Sequence, residues 1–275
     1  MGSVFSKRFL RAGFGVLGFD PVAAGRQALE DAGGKAAAGV GEVFTHCECV
    51  LLSLLDSSVT RKVLTELKPE SACRIIIDTT TGQPSDAEEF AQSVQDFGAR
   101  YLDAPVAASS VQLEEGSDVT VMVGGDGEAI GQCHSIFSSF ATRTLHVGGP
   151  GNGARMKLVS NLILGLNRAA LAEGLHLAKL LGIEPAVLKE VLPQTKARSP
   201  IMASKLDKML TEDFSPHARL SQHLKDVRLM LDLAMESGSR LPLSETHAAL
   251  LEAAEALGFG DADNCAVLKA YSRRE

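Results

Sequence analysis

The chain has 275 residues, of which 45% are hydrophobic and 22% are charged, and its formal net charge at pH 7 is −7. This is an ordinary soluble composition with room for two domains, and the negative charge argues against a nucleic-acid or anionic-membrane partner. The five cysteines are odd in number and irregularly spaced, and no apolar run approaches the ~20 residues that span a bilayer, so we expect a reduced cytoplasmic protein.

The first twenty residues predict a helix, a turn, a strand and a terminal acid, Asp20. A dinucleotide-binding βαβ unit has this order after its glycine-rich turn, with an acidic residue about 20 positions further on. Gly2 stands where the last glycine of G-x-G-x-x-G would stand, while the first strand and the first two glycines are absent. We therefore expect a chain that begins within its phosphate loop, as a fragment or from a wrongly assigned start codon.

Strands and helices are predicted to alternate through the first half of the chain. The predicted strands are 16–19, 49–54, 74–78, 100–106, 119–124 and 144–147, and the predicted helices between them are 21–32, 57–67, 84–97 and 128–140. Short apolar strands that alternate with amphipathic helices predict a Rossmann-type, mostly parallel sheet covered on both faces. In the strand order typical of that fold, the absent first strand is the central one.

The pattern changes after the glycine-rich stretch 148–153. Apolar residues recur at helical spacing over 154–181, and the rest of the chain shows helical patterns only. The further helices are predicted at 185–192, 200–210, 218–237, 242–257 and 262–271. We therefore predict a truncated Rossmann-like domain, 1–148, followed by an all-α domain, 149–275.

Two polar positions follow predicted strands at the edge where ligands bind in open α/β sheets. Asp20 is suited to accept hydrogen bonds from ribose hydroxyls and to repel a 2′-phosphate, which favours NAD over NADP; its alternative role is a helix N-cap. Pro21 after it suits the first turn of the next helix. Thr81 can bond a cofactor, or it is an ordinary turn residue.

Lys157 and Asn161 are the strongest candidates for catalysis. They are four residues apart on the predicted long helix, so they share one face, and both interrupt an apolar stretch. A lysine desolvated beside a substrate can exchange a proton near neutral pH, and an amide one turn away can hold the substrate oxygen. The alternative is a solvated helix lysine. Lys225 and Asp226, on a later helix, form by themselves a surface ion pair of little energetic value.

His46, Cys47, Glu48 and Cys49 superficially resemble metal ligands. No second Cys/His pair completes a four-ligand set, so we predict no metal site. Because Cys47 and Cys49 precede or begin a predicted strand, they are expected to share one face as a buried thiol pair.

These motifs together resemble the β-hydroxyacid dehydrogenase family, over nearly the whole chain. Met1-Gly2 resembles the end of its G-L-G-x-M-G loop, and Lys157 with Asn161 fits its G-x-G-x-x-x-K-x-x-N-N signature, with Ser160 replacing the first asparagine. The other matching segments are Asp103-Ala-Pro-Val106, Val121-Met-Val-Gly-Gly125, Leu224-Lys-Asp226 and Leu241-Pro-Leu243.

The resemblance implies roles for individual residues. Lys157 and Asn161 take the catalytic positions, and the positions that contact the cofactor are Gly2, Asp20, Leu54, Leu55, Thr81 and Lys225. At Leu54 and Leu55 the family usually has Leu-Pro. The substrate-binding Ser-Gly-Gly of the family is replaced here by Ala107, Ala108 and Ser109, followed by Ser110. The alanines add Cβ atoms where a substrate carboxylate approaches the backbone, so this segment departs from the family's substrate-binding pattern.

The resemblance implies an oxidoreductase that transfers a hydride between NAD(H) and a short-chain β-hydroxy acid or its semialdehyde, built as a homodimer or homotetramer. NADP is the less favoured cofactor because of Asp20. Two alternatives stay open. One is a catalytically inactive truncated relative that serves as an oligomerisation or regulatory module; the other is an imine-reducing relative, which the lysine at 157 disfavours.

Overall fold

The computed structural model describes residues 1–108 and 110–271. The chain divides into two compact units, Met1–Lys157 and Leu158–Glu275. Among the described residues, no helix combines the length and the apolar character required to cross a membrane.

The first unit is built of alternating helices and strands. Its helices are α1 (Gly2–Arg11), α2 (Ala23–Asp31), α3 (Val40–His46), α4 (Ser57–Leu64), α5 (Pro84–Gln95), α6 (Ser110–Glu115), α7 (Gly127–Gln132) and α8 (His134–Ser138). Its strands are β1 (Leu17–Gly18), β2 (Lys35–Ala36), β3 (Cys49–Leu52), β4 (Ile75–Asp78), β5 (Arg100–Asp103), β6 (Val106–Ala107), β7 (Thr120–Gly124) and β8 (Arg143–Gly148).

Six strands form one sheet in the order β3-β4-β5-β7-β6, with β8 paired to β7. The pairs β3–β4, β4–β5 and β7–β8 are parallel, whereas β7 runs antiparallel to β5 and β6. This confirms the predicted Rossmann-type, mostly parallel sheet. β1 and β2 pair in parallel in a separate two-stranded sheet.

The apolar character of the strands explains why helices cover both faces of the sheet. All four residues of β4 are buried, as expected for a strand with apolar neighbours on each side. One face packs against α3, α4 and α5 through a core that includes Phe44 and Phe90. The other face packs against α1, α7 and α8, where the rings of Phe5 and Phe140 meet edge to face with centroids 4.9 Å apart.

The second unit is helical, as predicted. Its elements follow the long helix α9 (Asn152–Leu180), which begins in the first unit. They are α10 (Pro185–Val191), α11 (Pro200–Leu210), α12 (Leu220–Glu236), α13 (Pro242–Ala254) and a 3-10 helix over Asn264–Tyr271. Inside this unit Asp263 is fully buried and accepts hydrogen bonds from Lys205 Nζ at 2.7 and 2.9 Å. The same carboxylate accepts the backbone N–H groups of residues 217, 218 and 265, which ties the start of α12 to the C-terminal segment.

The structure differs from the predicted elements at several places. β2, α3 and α6 were not predicted, and the predicted helix 128–140 is broken at Cys133 into α7 and α8. The predicted strand 100–106 ends at Asp103, because Pro105 cannot donate to a ladder, and the chain resumes pairing as β6. α2 begins at Ala23, so Pro21 lies before the helix instead of in its first turn.

A buried histidine makes the stability of the second unit depend on pH. His247 is 2% exposed and its ring centroid lies 5.2 Å from that of His223. Burial, and secondarily the charge of Arg168, lowers the pKa of His247 from 6.5 to about 4. Between pH 6.5 and 4, His247 therefore binds a proton in the unfolded chain but not in the folded chain. This contribution to stability is therefore complete above pH 6.5 and is lost as the pH falls towards 4.

We expect His247→Gln to remove this pH dependence. Between pH 6.5 and 4 the wild type is expected to lose up to about 3 kcal/mol of unfolding free energy through this residue, and the variant is expected to lose correspondingly less. The measurement is urea unfolding across that pH range. His134→Gln, at an exposed position on α8, is the control and is expected to follow the wild type. Identical pH slopes for wild type and His247→Gln would contradict the assignment.

Candidate active site

The start of α9 is held by a buried carboxylate at the end of β5. Asp103 is 4% exposed; its Oδ1 accepts the N–H of Gly151 at 3.0 Å, and its Oδ2 accepts the N–H of Ala154 at 2.8 Å. The first N–H groups of a helix have no partner within the helix, and a carboxylate there also complements the helix dipole. Asp103 therefore caps the helix that carries Lys157.

Three glycines make this contact possible. At Gly153 a Cβ would lie 2.7 Å from the carbonyl oxygen of Met122 and closer still to that of Asp103. Gly151 has φ +83°, and a Cβ there would lie 2.8 Å from the carbonyl oxygen of Pro84. A Cβ at Gly124, on β7, would lie 2.7 Å from the backbone nitrogen of Gly153. The glycines of the G-x-G segment thus allow the backbone of α9 to approach β5 and β7 closely.

The environment of Asp103 sets its protonation. Burial raises the pKa of Asp103 to about 6, and the hydrogen bonds from the backbone N–H groups of Ala154 and Gly151 oppose that rise. Above that pKa Asp103 is ionised, and the N–H groups of Gly151 and Ala154, together with the helix dipole, stabilise its charge.

Lys157 lies one turn beyond the cap. Its side chain is half-buried, and its Nζ donates a hydrogen bond to the carbonyl oxygen of Val106 at 2.8 Å. The segment Asp103–Val106 thus contacts α9 twice, once at its start and once at the lysine. This fixes the position of the ammonium group relative to β6.

The predicted substrate segment follows directly. Ala107 ends β6, and Ala107 and Ala108 are both half-buried. Ser109 lies outside the described residues, and Ser110 is described only as the first residue of α6. The structure therefore places the two alanines one and two residues beyond the carbonyl that holds Lys157.

The predicted cofactor positions at the end of β3 and β4 lie in adjoining loops. The backbone N–H of Leu54 donates to Thr80 Oγ1 at 3.2 Å, and the N–H of Thr80 donates to Asp78 Oδ1 at 2.8 Å. Leu55 is 82% exposed, and Thr81 is half-buried. The two loops are thus joined by one hydrogen-bond chain that ends on a buried carboxylate.

That carboxylate has two further partners. Asp78 Oδ2 accepts hydrogen bonds from the hydroxyl of Tyr101 at 2.6 Å and from Thr60 Oγ1 at 3.1 Å. Burial raises the pKa of Asp78, and these hydrogen bonds oppose the rise. Asp78 therefore holds the loop that contains Thr81 through its hydrogen bond with the N–H of Thr80.

Gly2 lies at the start of α1, and Asp20 lies two residues after β1. Gly2 is the first residue of α1, and a Cβ on it would lie 3.9 Å from Cβ of Ser53, which places the start of α1 beside the loop of Leu54. Asp20 is exposed and follows β1; its Oδ1 accepts the N–H of Val22 at 2.8 Å. A helix N-terminus and an exposed carboxylate at strand ends suit the pyrophosphate and ribose of a dinucleotide.

In the second unit, Asn161 is oriented by an acid that the sequence analysis assigned to the surface. Asn161 Nδ2 donates to Asp226 Oδ2 at 3.1 Å, and Asp226 is only 8% exposed. Lys225 is exposed, as expected of a surface residue. Asp226 is buried, so the interpretation of these two residues as a surface ion pair is wrong. The partner of Asp226 is 65 residues away, and no local pattern indicates such a contact.

The expected pairing of Cys47 with Cys49 is wrong. Cys47 ends α3 and packs with the Phe44 side of the sheet, whereas Cys49 opens β3 and packs with the Phe5 side. Side chains two residues apart share a face only within a strand. Cys47 lies before β3, so this rule does not apply to Cys47 and Cys49. Within the described part of the chain, no three His, Cys, Asp or Glu side chains are placed to hold a metal ion.

Comparison with known proteins covers both units. Residues 1–148 match the family model "NAD binding domain of 6-phosphogluconate dehydrogenase", and residues 151–271 match "NAD-binding of NADP-dependent 3-hydroxyisobutyrate dehydrogenase". The chain is 28% identical to 2-(hydroxymethyl)glutarate dehydrogenase of Eubacterium barkeri, over 99% of this chain and 92% of the relative. It is also 28% identical to L-threonate dehydrogenase of Cupriavidus necator, over 98% of this chain and 93% of the relative.

A crystal structure of 3-hydroxyisobutyrate dehydrogenase from Salmonella typhimurium has the same architecture. It superposes with a TM-score of 0.86 at 25% identity, covering 98% of this chain and 96% of that structure. These matches confirm the family resemblance inferred from the sequence motifs.

The packing at Gly153 gives a direct test of how α9 is positioned. We expect Gly153→Ala to destabilise the protein by about 1–3 kcal/mol or more, because the added Cβ overlaps backbone oxygens that cannot move aside. The matched control is Gly174→Ala on the same helix, where a Cβ meets nothing within 4 Å. That variant is expected to gain about 0.5–1 kcal/mol from helix propensity. Thermal and urea unfolding measure both, and a harmless Gly153→Ala would contradict the packing argument.

Proposed function

The chain belongs to the β-hydroxyacid dehydrogenase family, and we propose that it oxidises a short-chain β-hydroxy acid, or reduces the matching semialdehyde, with NAD(H). The observation that carries this proposal is Lys157, whose ammonium group is held 2.8 Å from the Val106 carbonyl on a helix capped by Asp103. In this proposal residues 1–148 bind the cofactor, and residues 149–275 contribute to substrate binding and assembly.

The nicotinamide cofactor, when bound, supplies the hydride acceptor or donor. Lys157 moves the proton of the substrate hydroxyl: it accepts that proton when the alcohol is oxidised and returns it when the aldehyde is reduced. Asn161 orients the substrate oxygen, and Asp226 fixes the orientation of the Asn161 amide through the 3.1 Å hydrogen bond. The backbone around Ala107, Ala108, Ser109 and Ser110 binds the substrate carboxylate.

The cofactor contacts are also proposed from the family resemblance and from where these residues lie in the fold. The start of α1 at Gly2 faces the pyrophosphate, the loops of Leu54, Leu55 and Thr81 line the nicotinamide side, and Lys225 contacts cofactor or substrate. Asp20 binds the ribose hydroxyls and disfavours a 2′-phosphate. Arg26, on α2, donates from Nη1 to the backbone oxygen of Asp20 at 2.6 Å.

The substrate and the assembly are proposed from different observations. The relatives are dehydrogenases of 2-(hydroxymethyl)glutarate and L-threonate, which are carboxylate-bearing hydroxy acids, and we expect a substrate of this class. The second unit exposes several large apolar side chains, namely Leu177, Leu180, Leu181, Val187 and Val191. Exposed large apolar side chains are typical of subunit interfaces, which supports a homodimer or homotetramer. The irregular cysteines support a cytoplasmic location.

We predict that Lys157→Ala lowers kcat by about 100-fold or more, the usual contribution of a general acid or base. The experiment follows nicotinamide absorbance with a panel of short-chain hydroxy acids at saturating cofactor. Cofactor affinity is expected to change little, because Lys157 addresses the substrate. Lys179→Ala, at an exposed position near the end of α9, is the control and is expected to behave as the wild type. Normal kcat in Lys157→Ala would refute the role.

We predict that Asp20 makes the enzyme prefer NAD over NADP by about tenfold or more, since a carboxylate beside a 2′-phosphate is repulsive. Asp20→Ala is expected to relax the ratio of kcat/KM for the two cofactors without abolishing turnover. Arg26→Ala tests the opposite assignment. If it lowers kcat/KM for NADP selectively while the wild type uses NADP equally well, the preference for NAD is wrong.

A further inference from the structure

Two cysteines that are far apart in the chain meet in the first unit. The Sγ atoms of Cys49 and Cys133 are 3.8 Å apart, although the residues are separated by 84 positions. A disulfide requires a sulfur–sulfur distance of about 2.05 Å, so the two atoms have to approach by only about 1.8 Å more. The other buried thiol of this unit, Cys73, donates instead to the carbonyl oxygen of Ile75.

Both residues lie at the end of an element. Cys49 is the first residue of β3, which lies at the edge of the six-stranded sheet and pairs with β4 only. Cys133 is the junction between α7 and α8, with φ −90° and ψ 8°. Neither residue lies in the interior of a regular element.

The two cysteines differ in exposure. Cys49 is half-buried, whereas Cys133 is 1% exposed, so Cys49 is the more exposed residue of the pair. The hydrogen bond between the two groups lowers the pKa of Cys133, because the thiol of Cys49 stabilises a thiolate beside it. A thiolate is the form of cysteine that reacts with peroxides.

We propose that Cys49 and Cys133 are a redox modification site that closes to a reversible disulfide when a peroxide oxidises the protein. One sulfur attacks a peroxide oxygen, the O–O bond breaks, one water leaves, and a sulfenic acid forms. The second thiol attacks the sulfenic sulfur, the S–S bond forms, the S–O bond breaks, and a second water leaves. Two electrons pass from the two thiols to the peroxide, and either order of attack gives the same product.

The product fastens the edge strand β3 to the α7–α8 junction. Because the crosslink spans 84 positions, it restricts the unfolded chain strongly and is expected to raise the Tm of the oxidised protein. Reduction with a dithiol reverses both the crosslink and the rise in Tm.

The experiment treats the folded, full-length protein with hydrogen peroxide and blocks the remaining thiols. Peptide mapping by mass spectrometry is expected to find one intramolecular disulfide, between Cys49 and Cys133, with three of the five cysteines still alkylated. The disulfide is expected to form about tenfold or more faster in the folded protein than in urea, because the fold holds the thiols in contact. Cys73→Ser is the matched control and is expected to form the same disulfide.

Cys49→Ser and Cys133→Ser are each expected to abolish the disulfide, because each removes one of the two sulfur atoms that it joins. Absence of the 49–133 linkage in oxidised wild type would overturn the proposal. So would a linkage that forms only in urea, or a mixture of pairings that includes Cys47 and Cys73. The mapping of wild type alone decides the matter if a serine variant fails to fold.

Discussion

The carboxylate of Asp103 determines where α9, the helix that carries Lys157, begins. It lies at the end of a central strand and binds two backbone N–H groups at the start of α9, at 3.0 and 2.8 Å. A buried charge is stable only when it is hydrogen-bonded in this way. The glycines at 151 and 153 allow the helix to approach that carboxylate. The position of Lys157 follows, since it lies one turn further along a helix whose start is fixed.

The other polar groups of the candidate site are also held by partners outside the reacting centre. The Val106 carbonyl holds Lys157, Asp226 holds Asn161, and the Asp78–Thr80 chain holds the loop of Leu54. Each of these contacts reduces the conformational freedom of a group before any substrate binds, which is the usual route by which a fold lowers the entropic cost of catalysis. The segment Asp103–Val106 contributes the Val106 contact and also the Asp103 cap, so it connects the sheet to α9 at two points.

Much of the architecture follows from local patterns in the sequence. The apolar run of β4 and the periodic pattern of α9 are strong enough to predict both elements nearly to their ends. β2 escaped prediction because residues 33–39 are mostly Gly and Ala, without polar alternation. α3 has only seven residues, too few to show a clear helical stripe. The break between α7 and α8 at Cys133 was not predicted because the apolar pattern of the sequence continues through it.

The candidate site was predictable where a motif is local and not where it depends on tertiary contacts. Lys157 and Asn161 stand out because polar residues interrupt an apolar stretch. By contrast, Asp103 contacts residues about 50 positions away and Asp226 contacts one 65 positions away. Nothing near them in sequence distinguishes a capping acid from a surface acid. The sulfur contact of Cys49 with Cys133 was missed for the same reason, and strand alternation suggested the wrong pair.

The measurement that tests the role of Asp103 most directly is a double-mutant cycle on kcat. Asparagine keeps the shape of Asp103 but replaces one acceptor oxygen by a donor that faces an N–H group. If Asp103 acts by positioning Lys157, Asp103→Asn is expected to lower kcat about tenfold or more alone, and less than about twofold in the Lys157→Ala background. Fully additive losses, with both variants folded, would contradict the account, because they would show that the carboxylate acts independently of the lysine.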